Sequence, residues 1–384
     1  MPRVSVCIPA YNHAAYLPVG LDSVLSQSYP DFEIIVADDG STDGCLEVAQ
    51  GFARAHPEKV RVVTHPGGEN RGVTATFNLA VSHSRGEYLA WLGSDDVWLP
   101  GKLEAQVRQL EQHPEWGLVY SLAEVIDAEG RRTGDSTGQD LTGDLIPGLV
   151  AGNFIPNLTV IHRRSCIEQY GLYDPVLLYS DWEMWLRLAD HQDFGFLNQI
   201  LAQYRVHGQN VFAAARRANH LQRDLDVLLS IQSRAESSQG RLHTPRNLAL
   251  IALRTAAVYF AKAQPETARQ YFDLALRHDP RLLHDIPYLV NWLARIDQDP
   301  AFALQISGWI SGTSLRYKRE FHGAVLAYAS WYYQSRDPQK ARSSAVASIQ
   351  ATPFAILNRP VARILLEMGL GEKTIHRLRK MFAK

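Results

Sequence analysis

In the first 110 residues, short apolar runs alternate with segments in which apolar side chains recur every three or four positions. The short runs are typical of buried strands, and they span residues 4–8, 32–37, 60–63 and 88–92. Segments 14–28 and 72–84 have the spacing of helices. Because strands that alternate with helices form parallel sheets, we predict a doubly wound α/β sheet with ligands at the carboxyl ends of its strands.

After residue 115 the alternation is less regular. Strand-like runs occupy residues 118–126, 157–162 and 196–204, and a short helix is predicted over 180–189. The stretch from Gly130 to Gly152 is rich in Gly, Thr and Asp, which is typical of a loop. From about Ala213 onward the apolar residues have helical spacing only, which predicts an all-α domain.

The helical part contains a repeated segment. Pro265-Glu266-Thr267-Ala268-Arg269 resembles Pro338-Gln339-Lys340-Ala341-Arg342, at an offset of 73 residues (265 to 338). This offset is close to two units of the roughly 34-residue tetratricopeptide period. An array of helix pairs and an ordinary helical bundle explain the pattern equally well.

Composition agrees with two folded domains. The chain has 384 residues, of which 46% are hydrophobic and 21% charged, as in globular proteins. This length exceeds what one hydrophobic core usually holds. We therefore predict an α/β domain over residues 1–212 and a helical domain over residues 213–384.

Charge and cysteine content narrow the class of protein further. The net charge of -1 argues against a nucleic-acid binder. No run reaches the roughly 18 apolar residues of a membrane helix, and the N-terminus lacks the features of a signal peptide. The three scattered cysteines indicate reduced thiols. We expect a cytoplasmic protein with at most peripheral contact with the inner face of the membrane. The basic segment Lys373 to Lys384 is the candidate for this contact. The alternative for this segment is a last helix with a solvated basic face.

Polar loops follow three of the four predicted strands in the first 110 residues. They are Pro9-Ala10-Tyr11-Asn12, Asp38-Asp39-Gly40-Ser41 and Gly93-Ser94-Asp95-Asp96. An isolated Asp pair is usually a turn or a helix cap, but adjacent carboxylates repel unless a cation or a donor lies between them. Mg²⁺ or Mn²⁺ prefers such oxygen ligands and would neutralise a diphosphate leaving group. No Gly-x-Gly-x-x-Gly or Walker-type loop follows the first strand, which disfavours dinucleotide oxidoreductases and P-loop NTPases.

Four segments, taken in order, resemble the family 2 glycosyltransferases of GT-A fold. They are residues 4–12, 36–43, 69–72 and 92–96, and the resemblance covers about the first 210 residues. It implies a GT-A-type doubly wound mixed sheet, here followed by the all-α domain. It also implies an inverting transferase that moves a sugar from a nucleotide-diphosphate sugar, with a UDP-sugar favoured, to a hydroxyl of a glycan, polysaccharide or lipid-linked saccharide.

The resemblance also implies which residues bind the nucleotide sugar. In this sequence they are Pro9, Tyr11, Asn12, Asp38, Asp39, Arg71, Ser94, Asp95 and Asp96. The residues of the first loop would line the nucleoside pocket. Asp38 or Asp39 would hydrogen-bond the base, with Asp39 slightly preferred, and Arg71 would lie near the base or the phosphates. A turn residue and a solvated charge are the alternatives for Asn12 and Arg71.

A divalent metal, Mn²⁺ or Mg²⁺, is implied at the last of these loops. Asp96 would face the metal, and Asp95 the ribose, the sugar or the metal. Many family members have an Asp where Gly93 stands, so this chain has one carboxylate fewer. His207, in the family-like segment Tyr204 to Asn210, is a candidate third metal ligand or diphosphate contact, and a structural role is about equally compatible.

Asp181 is the implied catalytic base. Inversion is a single in-line displacement, so the attacking acceptor hydroxyl must lose its proton to a nearby group. Asp181 matches the base position of the family's acidic element, whereas Ser180 stands where an acid is commoner. Glu183 is the fallback base, and capping of its helix is the structural alternative for Asp181.

Two other classes of function explain parts of the sequence. A nucleotidyltransferase-like sugar-nucleotide enzyme would also use metal-binding carboxylates, but the first loop is neither Gly-rich nor basic. A protein-interaction scaffold with an inactive transferase domain would use the helical part. For either class, as for a transferase, that part is a candidate for binding a protein partner or for self-association.

Overall fold

The computed structural model describes residues 1–139, 145–208, 220–283, 286–296, 300–311, 318–333 and 336–351. Its contacts divide the chain into two compact units, Met1–Leu242 and His243–Lys384. The boundary predicted between residues 212 and 213 falls outside the described residues. The segment Lys373 to Lys384 is also outside them.

Four parallel strands form one half of the sheet in the first unit. They are β1 (Val4–Ala10), β2 (Phe32–Asp38), β3 (Val60–Thr64) and β4 (Tyr88–Trp91). β1 pairs with both β2 and β4, and β2 pairs with β3. Every residue of β1 and β2 is buried, which explains why both are mostly apolar. The buried polar pair between them is hydrogen-bonded, with Ser5 Oγ donating to Glu33 at 2.7 Å. As predicted, the polar loops follow the carboxyl ends of these strands.

The other half of the sheet is mixed. Its strands are β5 (Val97–Trp98), β6 (Trp116–Ile126), β7 (Arg132–Thr137), β8 (Ile161–Arg163) and β9 (Asp193–Arg205). The strand order is β3-β2-β1-β4-β8-β6-β9-β5, with β7 paired to β6. β8 is antiparallel to both β4 and β6, while β9 is parallel to β6. The predicted mixed α/β sheet is therefore confirmed.

Eight helices accompany these strands within the described part of the first unit. They are α1 (Leu17–Leu25), α2 (Cys45–Ala55), α3 (Val73–Ser82), α4 (Lys102–Gln112), α5 (Ile146–Ala151), α6 (Arg164–Tyr170), α7 (Ser180–Ala189) and α8 (His220–Ser237). Apolar side chains of α1, α2 and α4 pack with those of β1 and β2 in one hydrophobic core. The strand loops that carry the polar residues thus rest on a buried scaffold.

Two expectations for the middle of the chain were wrong in detail. The strand predicted over 157–162 is a short 3₁₀ turn, Asn157–Thr159, followed by β8. The predicted loop from Gly130 to Gly152 contains β7 and α5. β7 has no apolar face because its residues are almost all exposed, so hydrophobic periodicity could not reveal it.

The described part of the second unit is helical. Its helices are α9 (Pro245–Ala261), α10 (Pro265–His278), α11 (Ile286–Ile296), α12 (Ala301–Ser311), α13 (Lys318–Tyr333) and α14 (Pro338–Ala351). α9 packs on α10, and α13 on α14. The two repeated segments begin the second helix of each pair, at Pro265 and Pro338, where proline is favoured. The helical extension is confirmed, and its tetratricopeptide character stays a prediction.

Membrane-spanning helices were sought among the described residues. In those parts of the chain, no helix combines the length and the apolar character that crossing a membrane requires.

Candidate active site

Asn12 joins the loop after β1 to the loop after β2. Its backbone N–H donates to Ser41 Oγ at 3.0 Å, and its Oδ1 accepts the Thr42 N–H at 2.8 Å. Its φ of 52° is in the left-handed region, which Asn tolerates better than most residues. Next to it, Tyr11 is 45% exposed, whereas Pro9 is buried inside β1. An aromatic ring is therefore presented at the strand ends on a rigid support.

The two carboxylates after β2 are buried and bind backbone amides. Asp38 Oδ1 accepts the N–H groups of Gly40 and Ser41 at 3.1 and 3.0 Å, which closes the turn. Asp39 accepts the N–H groups of Arg71 and Gly72, at 2.7 and 2.9 Å. Asp39 thus connects the loop after β2 to the segment that leads into α3.

This connection requires a glycine in the turn. Gly40 has a φ of 76°, and a Cβ atom there would lie 2.5 Å from the carbonyl oxygen of Gly68. The backbones of the two loops can approach this closely only because Gly40 has no side chain. The side chain of Arg71 is 48% exposed, and its guanidinium lies 3.2 Å from Glu69. The arrangement leaves the Arg71 side chain at the rim of the crevice.

A group of possible metal ligands lies where β4 and β9 end. Three residues, His13, Asp95 and His207, each offer one ligand atom, and these three atoms lie within 4.8 Å of one another. His207 Nε2 is 3.0 Å from Asp95 Oδ2, with both side chains largely buried. His13 Nδ1 is 2.8 Å from Ser94 Oγ. Burial lowers the pKa of His13, which favours the neutral imidazole that a metal requires.

Asp96 lies next to this group but is held differently. Its side chain is buried, and Oδ1 accepts the backbone N–H of Arg205 at 2.9 Å. Burial, and then the charge of Asp95, raise the pKa of Asp96 well above its usual value. The Arg205 guanidinium donates to the carbonyl oxygens of Asp95, Asp127 and Ala128. Asp96 therefore anchors the end of β9, and it is not a member of the converging His–Asp–His group.

Asp181 lies buried in the first turn of α7. Its Oδ2 accepts a hydrogen bond from Asn153 Nδ2 at 2.9 Å. Burial raises the pKa of Asp181 to about 6, and hydrogen bonds from the Trp182 backbone and Asn153 oppose this shift. A carboxyl group with this pKa can accept a proton near neutral pH.

Ser180 connects this helix to the loops at the strand ends. Its hydroxyl is 2.8 Å from that of Thr74, in the first turn of α3. Two residues earlier, the amide of Gly72 binds Asp39. The segment from Gly72 to Thr74 therefore connects Asp39, after β2, to Ser180, next to Asp181.

The fallback base Glu183 faces a different environment. It is fully buried, with Oε2 2.8 Å from Arg187 and Oε1 2.9 Å from Arg234. Two guanidinium groups thus contact its carboxylate, and Glu183 has no exposed surface, whereas 8% of Asp181 is exposed. The geometry favours Asp181 over Glu183 as the base.

Three residues near these groups were not selected from the sequence. His13 directly follows the Tyr11-Asn12 pair, and this adjacency was the available indication. Asn153 and Thr74 offered no local pattern, because the partners that give them a role, Asp181 and Ser180, are far along the chain.

Comparison with known proteins decides the family. The model of the family described as glycosyl transferase family 2 matches residues 5–168. The uncharacterized glycosyltransferase alr2836 of Nostoc sp. is 32% identical over 228 residues, which cover 56% of this chain and 68% of that protein. EpsE of Bacillus subtilis, provisionally named a glycosyltransferase, is 32% identical over 53% of this chain and 73% of its own length. The chain belongs to the family 2 glycosyltransferases. A larger relative is the chondroitin synthase of Escherichia coli, 29% identical over 55% of this chain and 30% of that protein.

Solved structures share the fold of this glycosyltransferase. An S. aureus TarS fragment in complex with UDP-GlcNAc has a TM-score of 0.56 at 17% identity, covering 87% of this chain and 92% of that one. The mannosyltransferase PcManGT of Pyrobaculum calidifontis, in complex with GDP-Man and Mn²⁺, has a TM-score of 0.50 at 18% identity, covering 91% of this chain and 88% of that one. At these identities the likeness shows the GT-A-like fold alone.

Proposed function

We propose that this glycosyltransferase moves a sugar, with inversion, from a nucleotide-diphosphate sugar to a hydroxyl group of a saccharide acceptor. The observation that carries the proposal is the buried carboxyl group of Asp181, which is linked through Ser180 and Thr74 to the loops at the strand ends. A single base next to the donor pocket is what an in-line displacement requires.

The donor pocket would be the crevice at the carboxyl ends of β1 and β2. The exposed ring of Tyr11 can stack on a base, and Asn12 shapes the loop beneath it. Asp38 keeps one buried oxygen, Oδ2, without a hydrogen-bond partner among the described residues. A buried oxygen of this kind can accept the N–H of a base. The solved structures of TarS and PcManGT are complexes with UDP-GlcNAc and GDP-Man, which supports a nucleoside diphosphate sugar as the donor. The family resemblance of the sequence favours a UDP-sugar.

A divalent cation, Mn²⁺ or Mg²⁺, would be held at Asp95 and His207. A carboxylate and an imidazole that face each other at 3.0 Å are suitable donors for such an ion. When bound, the ion supplies positive charge that offsets the charge on the departing diphosphate. In this proposal Asp96 contributes indirectly, because it fixes the β9 end from which His207 extends.

Asp181 would act on the acceptor. The acceptor oxygen forms a bond to the anomeric carbon as the bond from that carbon to the diphosphate oxygen breaks. The acceptor proton passes to Asp181, and the nucleoside diphosphate departs with the electron pair of the broken bond. Asn153 orients the carboxylate and stabilises its charged form.

The test separates donor binding from transfer. Calorimetry with UDP- and GDP-sugars in the presence of Mn²⁺ identifies the donor, and transfer to saccharide acceptors is then measured for Asp181→Asn. We expect at least about 100-fold slower transfer, as is usual for loss of a general base, with donor affinity unchanged. Asp135→Asn, an exposed carboxylate on β7, is the matched control and should retain full activity.

Full transfer activity in Asp181→Asn would remove Asp181 as the base. Products that retain the anomeric configuration of the donor would contradict the single displacement. Absence of both transfer and hydrolysis of nucleotide sugars with Mn²⁺ present would contradict an active enzyme and leave the scaffold hypothesis.

A further inference from the structure

We propose that His13 is a metal ligand of this chain and that it completes, with Asp95 and His207, a site of two imidazoles and one carboxylate. The inference rests on the proposed metal-dependent transfer and adds one ligand to the proposed metal site. It also specifies the class of ion, because two nitrogen donors favour a transition metal such as Mn²⁺ over Mg²⁺.

Three distant parts of the chain bring these side chains together. His13 follows β1, Asp95 follows β4 and His207 follows β9. Their ligand atoms lie within 4.8 Å of one another. Two ligand atoms on one ion with bonds of about 2.0–2.2 Å lie at most about 4.4 Å apart, so small side-chain rotations bring all three onto one ion. The rings of His13 and His207 are 5.3 Å apart and nearly perpendicular. Two imidazoles and one carboxylate thus converge on one point.

Ser94 provides the outer contact that a metal-binding histidine usually has. Its hydroxyl lies 2.8 Å from His13 Nδ1 and is itself buried. When Nδ1–H donates to this hydroxyl, Nε2 carries the lone pair that binds a metal. Ser94, expected to bind the nucleotide sugar, is therefore assigned a second task, the orientation of His13.

The donor set also explains how the chain compensates for Gly93. A carboxylate at that position would lie among the oxygens of Asp95 and Asp96, since a Cβ atom on Gly93 would be 2.6 Å from Asp96 Oδ2. The neutral imidazole of His13 can ligate without adding a third negative charge there. A site with one carboxylate and two imidazoles carries less charge than a carboxylate cluster and binds Mg²⁺ less well.

The test counts nitrogen ligands on Mn²⁺ by pulsed electron paramagnetic resonance of the full chain. We expect couplings from two imidazole nitrogens in the natural protein and from one in His13→Gln, with the Mn²⁺ dissociation constant raised by about 10-fold or more. His207→Gln should also leave one nitrogen. Ser94→Ala should keep two nitrogens and weaken Mn²⁺ binding by about 10-fold.

His83→Gln, at an exposed position directly after α3, is the matched control and should leave two nitrogens. Thermal unfolding of each variant without metal checks that the fold is retained. Couplings from only one imidazole nitrogen in the natural protein, or from two in His13→Gln, would overturn the role of His13. The proposed transfer, with a metal held by Asp95 and His207, would be unaffected. Binding of no Mn²⁺ at all, with or without UDP, would overturn both this inference and the metal part of the proposed function.

Discussion

Asp181 shows how the surroundings of a single residue set its chemistry. An exposed aspartate is ionised at all physiological pH values, whereas burial raises the pKa of this one to about 6. In the proposed mechanism the carboxylate form of Asp181 is the active one, so transfer should rise as pH increases through about 6 and fall below it. Burial, and then the charge of Asp181, raise the pKa of Tyr173 well above its usual value, so its hydroxyl stays neutral over this range.

The hydrogen bond from Asn153 allows this assignment to be tested. Asn153→Ala removes a donor to the charged form of Asp181, so the pKa of Asp181 should rise further. The acid limb of the pH–rate profile should then move to higher pH by about one unit. Steady-state rates between pH 5 and 9 measure the shift, and Asn198→Ala, at an exposed position of β9, should not move the limb. An unchanged limb in Asn153→Ala would mean that another group sets the profile.

At the scale of elements, α8 supports α7, the helix that carries Asp181. α8 packs on α7, and its Arg234 lies 2.9 Å from the fully buried Glu183. Arg187, on α7 itself, contacts the same carboxylate and also donates to the carbonyl oxygens of Tyr170 and Leu172. Residues beyond the region that the family model matches thus contribute to the position of α7.

Loss of Arg234 should weaken this support. Arg234→Ala leaves the buried carboxylate of Glu183 with one guanidinium partner. We expect the free energy of unfolding to fall by about 1–2 kcal/mol. This is less than the cost of breaking a whole buried pair, because Arg187 still contacts the carboxylate. Urea denaturation followed by tryptophan fluorescence measures the change. Arg131→Ala, which removes exposed pairs with Asp127 and Glu129, should leave the free energy of unfolding nearly unchanged. Equal effects of the two substitutions would argue against a supporting role for α8.

At the scale of the whole molecule, the compact units predict where the chain can be divided. The sequence pattern places the boundary at residue 212, whereas the contacts place it after Leu242. α8 has five buried apolar residues, and Asp190, which follows α7, binds the backbone N–H of Leu242 at 2.6 Å. The first unit therefore includes α8 and the turn that follows it.

Two fragments distinguish these boundaries. A fragment of residues 1–242 should fold and bind nucleoside diphosphate like the full chain. A fragment of residues 1–212 loses the apolar surface buried by α8, worth several kcal/mol at about 1.5–3 kcal/mol per side chain, and its midpoint of thermal unfolding should be lower by about 10 °C or more. Differential scanning calorimetry of both fragments measures this difference. Equal midpoints would support the boundary at residue 212.

By itself the sequence determined the four parallel strands, the polar loops at their ends and the family to which they belong. These properties depend on neighbouring residues, whose periodicity and motifs can be seen along the chain. Only the tertiary structure decided that Asp39 binds loop amides, that Asp96 anchors β9 and that Glu183 is enclosed by arginines. It also brought together His13, Asp95 and His207. These three residues follow β1, β4 and β9, strands of one sheet that are far apart in sequence. Such contacts join residues far apart in sequence, and no local pattern contains the information that pairs them.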